Sequence, residues 1–484
     1  MRSVFIRRIV SRLFAALAAI VGAGLASGCA STGAIQQELT DRMRTQDYSG
    51  ALRLVEDRKF STFGGRNQLL YFFERGMLLH LDGRYAKSNV AFGNAKTIGL
   101  RLYTESLSNY GLSLLSNDYA LDYAGENFER TLVHLFSALN YLMLNASDSA
   151  LVEIRQVDEA LRKLQIDSPN ENVYQEDAFA RYLSALIFEA AGELDSAFVD
   201  YKLAVEAYDG YWSNYGVGRP ASLLSNAERV ARRLGDWAEQ DLRLLGGAGR
   251  TPLLPEGAGE VFVLHYNGLS PMKDQIRFTI PFSRAWPLAL AFQAGSQGRD
   301  RQSLENAIAF SSFISGYDVV SVAFPKFVDR PYAITRMRPR ATGAFDISTP
   351  ELVEDIGAIA EKDLADRIVR IQAKTIARAA IKYALQKAAE SAARRSSRKH
   401  GDWISLATQI SGNLARYFSE QADERMWSTL PDKIWMSRVV LPAGRHDIEI
   451  DFLDARGVAV ESRRLSNLEI VAGSRQFVVV RTVR

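Results

Sequence analysis

A chain of 484 residues carries one cysteine, Cys29, and that count constrains it more than any other feature. An internal disulfide is impossible, and so is a zinc site built on two or more thiolates. Stability has to come from buried apolar surface. The composition supplies it, since 47% of the residues are hydrophobic, and the length suffices for two domains or more.

The cysteine closes a distinctive N-terminal stretch. Arg2, Arg7, Arg8 and Arg12 make a positive start, and no acidic residue precedes Cys29. The apolar run from Leu13 to Leu25 spans 13 residues, against the ~20 that a membrane-crossing helix needs. A short apolar core behind a basic start predicts a cleavable export signal over residues 1–28. Leu25-Ala26-Ser27-Gly28-Cys29 resembles the lipobox of bacterial lipoproteins, with Ala26 where that pattern prefers Leu. The resemblance implies that Cys29 is the lipid attachment site, carrying a diacylglycerol and an acylated amine of the palmitate type. Two chains hold a protein on a bilayer stably where one does not. Ala30 and Ser31 follow, without the aspartate that retains enteric lipoproteins at the inner membrane. By the same resemblance, the expected location is the outer membrane, lipid-anchored and facing the periplasm.

The formal charge of +3 belongs largely to that leader. Cleavage removes four arginines and no acid, so +3 becomes −1. A nucleic-acid partner would need a basic excess that the mature chain lacks, and none is expected.

Residues 29–245 read as helical, with only Pro169 and Pro220 inside them. Gln46-Asp47-Tyr48-Ser49-Gly50-Ala51, Asp82-Gly83-Arg84-Tyr85, Gly192-Glu193-Leu194-Asp195-Ser196-Ala197 and, more weakly, Asn145-Ala146-Ser147 share one turn-then-helix grammar. They resemble the turn and second helix of tetratricopeptide (TPR) repeats. Their spacing is irregular, so a degenerate TPR-like solenoid is expected, with a plain helical bundle as the alternative. Phe73-Glu74-Arg75 leading to His80 echoes Phe128-Glu129-Arg130 leading to His134. Each Glu and His could be an acid/base pair, but residues five or six apart do not share a helix face as i,i+4 neighbours do. Both histidines also stand in apolar runs, so packed core histidines are the expected reading.

Residues 246–259 carry the glycine and proline load of a linker, and periodicity changes beyond them. Strands are expected at 260–266, 275–280, near 318–324 and 332–338, and again at 435–441, 447–452 and 474–480. The last three suggest a small C-terminal antiparallel sheet. A long alanine-rich helix is expected over 351–395, opened by Ser348-Thr349-Pro350. A second helix is expected over 403–424, with 394–400 as the loop between. The fold class is therefore α+β: an N-terminal TPR-like helical domain over 29–245, then an α+β domain over 260–484.

Two features of the second half could serve binding. Arg370, Lys374, Arg378 and Lys382 lie four apart on the long helix. They could meet an acidic partner or headgroup, or form an ordinary solvated face. Trp427, before Leu430-Pro431, could be an aromatic platform for a sugar or a plug in a core corner. No catalytic motif and no metal-ligand spacing emerges, and no cofactor is expected.

The stretches Gly76-Met77-Leu78-Leu79-His80-Leu81, Phe128 to His134, Glu351 to Gly357, Arg378-Ala379-Ala380-Ile381-Lys382-Tyr383 and Ala422 to Pro431 resemble a family of uncharacterised proteobacterial periplasmic lipoproteins with TPR-like helices. Members are often encoded beside lipoprotein activators of penicillin-binding proteins. The resemblance implies a non-enzymatic protein-interaction scaffold of the cell envelope, linked to peptidoglycan synthesis, with cell-wall synthases or their activators as partners. A glycan-binding or glycan-cleaving envelope protein is the alternative, and a lipoprotein pilot for a secretion or appendage channel is a further one.

Overall fold

A computed structural model of the chain describes residues 35–108, 121–167, 174, 176–247, 251–293, 318–396 and 421–484. The expected export signal and Cys29 lie outside the described residues, as do residues 397–420. None of the described helices is long and apolar enough to cross a membrane.

Helices come first, in antiparallel pairs. They are α1 (35–44), α2 (Tyr48–Asp57), α3 (Gln68–Leu81), α4 (Tyr85–Ser108), α5 (Asn127–Met143), α6 (Ser147–Asp167), α7 (Ala178–Ala190), α8 (Leu194–Tyr215), α9 (Ala221–Leu234) and α10 (Asp236–Leu244). Four of the turns share one geometry, and they are the four that the sequence singles out. Gln46, Gly83, Asn145 and Gly192 each take positive φ, between 56° and 82°. In each turn the next amide reaches back to the carbonyl five residues earlier: Asp47 to Arg42, Arg84 to Leu79, Ala146 to Tyr141, Glu193 to Phe188. This is the Schellman closure, which satisfies carbonyls that a helix end would orphan. The paired helices then pack closely. At Gly76 on α3 an added methyl would collide with the Phe92 ring of α4.

Strands follow: β1 (Ala258–Asn267), β2 (Met272–Pro281), then α11 (Phe282–Gln293), β3 (Val319–Val328), β4 (Arg336–Ala341), β5 (Asp346–Ile347) and β6 (Glu351–Asp355). After α12 (Ile356–Ser396) come β7 (Lys433–Pro442), β8 (Gly444–Leu453), β9 (Ala459–Ile470) and β10 (Arg475–Thr482). One sheet has the order β10-β1-β7-β5, with β6 also on β7; β4-β8-β9 is a second sheet, and β2-β3 a ribbon.

Strand β1 is buried along its whole length, and its alternation explains the layering. Phe262, Leu264 and Tyr266 face the helices, in one cluster with Phe73, Phe136 and Trp427. Val261 and Val263 face the opposite way, against Ile448, Ile450 and Phe452 of β8. The order of layers is helices, mixed sheet, antiparallel sheet. One apolar cluster runs from Leu69 on α3 to Phe477 on β10, so the change of secondary structure at 246–259 is not a break in the core. Strand β1 already begins at Ala258.

Four expectations are corrected. The last strands do not make one antiparallel sheet: β10 pairs in parallel with β1, whereas β8 pairs with β4 and β9. The long helix does not open at Ser348-Thr349-Pro350, because Glu351–Asp355 is drawn onto β7 as a strand. The helix starts at Ile356, where the Asp355 carboxylate accepts the Ala358 amide at 2.9 Å. Pairing with a sheet outweighs local capping signals, which are worth about 1 kcal/mol. Finally, Arg394 and Arg395 belong to α12 rather than to a loop, and residues 421–424 are not helical.

Candidate binding site

The two Phe-Glu-Arg echoes converge on one backbone segment. Glu74 on α3 is buried, and its Oε1 accepts the amide and hydroxyl of Ser428, each at 2.7 Å. Its Oε2 accepts the amide of Thr429 at 3.2 Å and the hydroxyl at 2.6 Å. Glu129 on α5 accepts the Trp427 amide at 2.7 Å through Oε1, and the Tyr123 hydroxyl and Glu126 amide at 2.6 and 2.8 Å through Oε2. Two glutamates thus hold three consecutive residues. Burial raises the Glu74 carboxyl against the opposing bonds from Thr429 and Ser428. Burial, reinforced by the Glu126 charge, lifts Glu129 to about 7. Glu126 goes the other way: burial would raise it, but Arg367 of α12 and Lys273 of β2 overcome that and hold it far below the ordinary carboxylate range. Partner charge decides between neighbours three residues apart.

Neither glutamate works with its histidine. His80 Nδ1 bonds Asn140 Oδ1 at 2.6 Å, and burial lowers the ring to about 4. His134 Nδ1 meets Glu153 at 3.1 Å, and Glu153 also takes Lys96 at 2.5 Å.

Trp427 is fully buried. Its indole stacks on Phe73 and meets Phe92 and Phe136 edge-on, so it is a core plug rather than a sugar platform. The cationic quartet also divides. Arg370 is exposed and Lys374 half-buried, but Arg378 and Lys382 are buried, and Arg378 Nη2 lies 3.4 Å from the Thr375 hydroxyl. Four residues overshoot a helical turn by about 40°, so three such steps carry the side chains from the outer face to the inner one.

Phe73 also lines a cleft of about 420 Å³ between α4, α5 and α6. Phe73, Ala95, Val133, Ala160 and Leu164 give it an apolar floor, and Lys96, Arg130, His134, Glu159 and Lys163 stand on its walls. Tyr103 has the Arg130 guanidinium 4.8 Å from its ring centre and the Lys163 ammonium 5.0 Å away. Arg130 is fixed by the carbonyls of Ala124 and Gly125 at 3.1 and 2.8 Å. Apolar floor, cationic wall and a volume in the ordinary range for ligand sites suit an occupant with an apolar anchor and negative charge. Sequence spacing does not reveal this site, because its cations come from three helices. The Phe-Glu-Arg echoes contain Phe73, Arg130 and His134 of its lining, but Lys96 and Lys163 stand in no motif. Among the described residues, no group of three or more acidic or histidine side chains is arranged to hold a metal. In comparison with known proteins, the chain matches no family model and no curated protein.

Proposed function

We propose that this protein is a lipid-anchored scaffold of the bacterial envelope, without catalytic activity, whose helical half is a degenerate TPR-like solenoid. Cys29 carries the anchor, and the body works in the periplasm from the outer membrane. The cleft between α4, α5 and α6 receives a polypeptide segment of a partner, for which the sequence resemblance suggests cell-wall synthases or their activators. The recurrent Schellman turns at Gln46, Gly83, Asn145 and Gly192 support the repeat reading. The single observation that carries the proposal is the cleft itself, an apolar floor ringed by Lys96, Arg130 and Lys163 on consecutive hairpins. Solenoids offer extended concave surfaces to peptides.

Photo-crosslinkers placed at Thr97 and Glu159, both on the rim, test this in living cells. A discrete envelope-protein adduct is expected, lost in the variant Lys96→Glu/Lys163→Glu. Adducts no different from those of a probe at Val458, exposed in the β8–β9 turn and outside the cleft lining, would sink the reading. Membrane fractionation of Cys29→Ser reports separately on the anchor.

A further inference from the structure

We infer that the loop between α2 and α3, residues 58–66, docks the folded body on an anionic phospholipid surface, with Phe60 entering the interface. The inference rests on the lipid-anchor reading of Cys29 and adds to it an orientation.

Chain length comes first. Six positions separate Cys29 from Ile35, where the described body begins. At ~3.3–3.6 Å per residue, even a fully extended tether reaches only about 20 Å. Whatever lies at that end of the body is therefore held close to the bilayer.

The α1–α2 hairpin decides what lies there. The turn at Gln46 closes tightly, with the Asp47 amide on the Arg42 carbonyl at 2.9 Å and the Arg42 guanidinium on the Asp47 carboxylate at 2.9 Å. Leu39 and Met43 of α1 share a cluster with Leu52 and Val55 of α2. The two helices are equally long and run antiparallel, so the start of α1 comes back beside the end of α2 and the loop after it.

That loop has the chemistry of a membrane interface. Phe60 is 86% exposed, whereas Phe63, three residues on, is buried in the cluster beneath. Arg58, Lys59 and Arg66 are exposed, and none has an ion-pair partner among the described residues. The Lys59 ammonium lies 5.4 Å from the ring centres of both Phe60 and Tyr71. Asp57 is the one acid in 57–66, and the preceding Glu56 is engaged by Arg75 at 2.9 Å. An aromatic at the acyl boundary with cations on the phosphates is the pattern by which peripheral segments bind anionic bilayers. Acyl chains alone leave the body free to swivel; a second contact fixes which faces point into the periplasm.

The test uses the full acylated chain. Acylation occupies Cys29, so Phe60→Cys offers a unique thiol for an environment-sensitive dye. In vesicles of equimolar phosphatidylethanolamine and phosphatidylglycerol, the dye at 60 should shift to the blue and be quenched by brominated lipid. The same dye at Val458→Cys, exposed beyond β8, should stay aqueous. Adding Arg58→Glu/Lys59→Glu/Arg66→Glu should reduce the quenching at 60 several-fold. A dye at 60 as open to aqueous iodide as one at 458, or quenching indifferent to charge reversal, overturns the inference. The acyl mass on Cys29 is read from the same preparation. Acylated protein with a solvent-facing dye removes the loop contact and spares the anchor, whereas unacylated protein removes both.

Discussion

The indole of Trp427 lies flat on the ring of Phe73, with centroids 4.5 Å apart and planes 10° from parallel. One residue comes from the third helix and the other from the segment that leads into β7, so this contact joins the helical part of the chain to the sheets. Phe92 and Phe136 close over it, and Tyr266 of β1 packs on Phe136 in turn. Helices and sheets share this core.

Cooperativity should follow from that sharing. Trp427→Ala is expected to cost about 3–5 kcal/mol. A cycle with Phe73→Ala should return a coupling of about 0.5–1.5 kcal/mol beyond simple burial. Urea unfolding followed by far-ultraviolet and near-ultraviolet circular dichroism checks both. Helices that melt at the wild-type midpoint while the sheets fail would contradict a common core.

Glu74 makes a second, polar joint. Glu74→Ala would strand four buried donors of Ser428 and Thr429. At about 1–3 kcal/mol for each unsatisfied group, partly offset by water entering the space, the loss should exceed that of an ordinary hydrogen bond several-fold. Glu74→Gln keeps only one acceptor oxygen and should fall between. The measurement is the denaturation midpoint of the two variants.

Glu351 caps a helix from another part of the chain. Its carboxylate accepts the Ala221 amide at 2.5 Å and the Ser222 amide at 3.2 Å, at the start of α9, where Pro220 offers no side-chain cap. Glu351→Ala should cost about 1–2 kcal/mol, and exchange of the Ala221 and Ser222 amides should accelerate. Unchanged exchange there would argue against the cap.

Acid should act through His80. Burial lowers its ring from 6.5 to about 4, so between those values the unfolded chain binds a proton that the folded chain refuses. The stability held above pH 6.5 is therefore lost as pH falls towards 4, by about 3 kcal/mol in all. His80→Gln, destabilised at pH 8 by disturbing the bond to Asn140, should lose less on acidification. Its deficit against the wild type should narrow between pH 7 and 4. A deficit constant across that range would mean that His80 does not titrate as its burial requires.

Local signals were legible wherever one stretch of chain decides its own conformation. Asp82-Gly83-Arg84 and Gly192-Glu193 demand a left-handed residue after a helix, and the turns form there. Ile448, Ile450 and Phe452 alternate as a half-buried strand must, and β8 faces the core with those three side chains. His80 was legible as a core residue from its apolar neighbours. Ser348-Thr349-Pro350 misled, because the capping residues spoke for a helix while β7 offered pairing on both sides of a bulge at Val353, to Glu351 and Leu352 and to Glu354 and Asp355. The cationic quartet misled for a geometric reason: a four-residue spacing drifts around a helix, and which part of the drift is buried depends on what packs there.

By itself, the sequence determined that helices come first and sheets after, the four helix-closing turns and the apolar residues available for a core, since those follow from backbone sterics and periodicity within a few residues. Tertiary structure alone decided that Glu74 and Glu129 grip Trp427, Ser428 and Thr429, that β10 lies parallel to β1, and that Lys96, Arg130 and Lys163 ring one cleft. Each of those depends on which distant segments are brought together on folding, and a hydrogen bond across hundreds of residues leaves no mark on the spacing of the residues that make it.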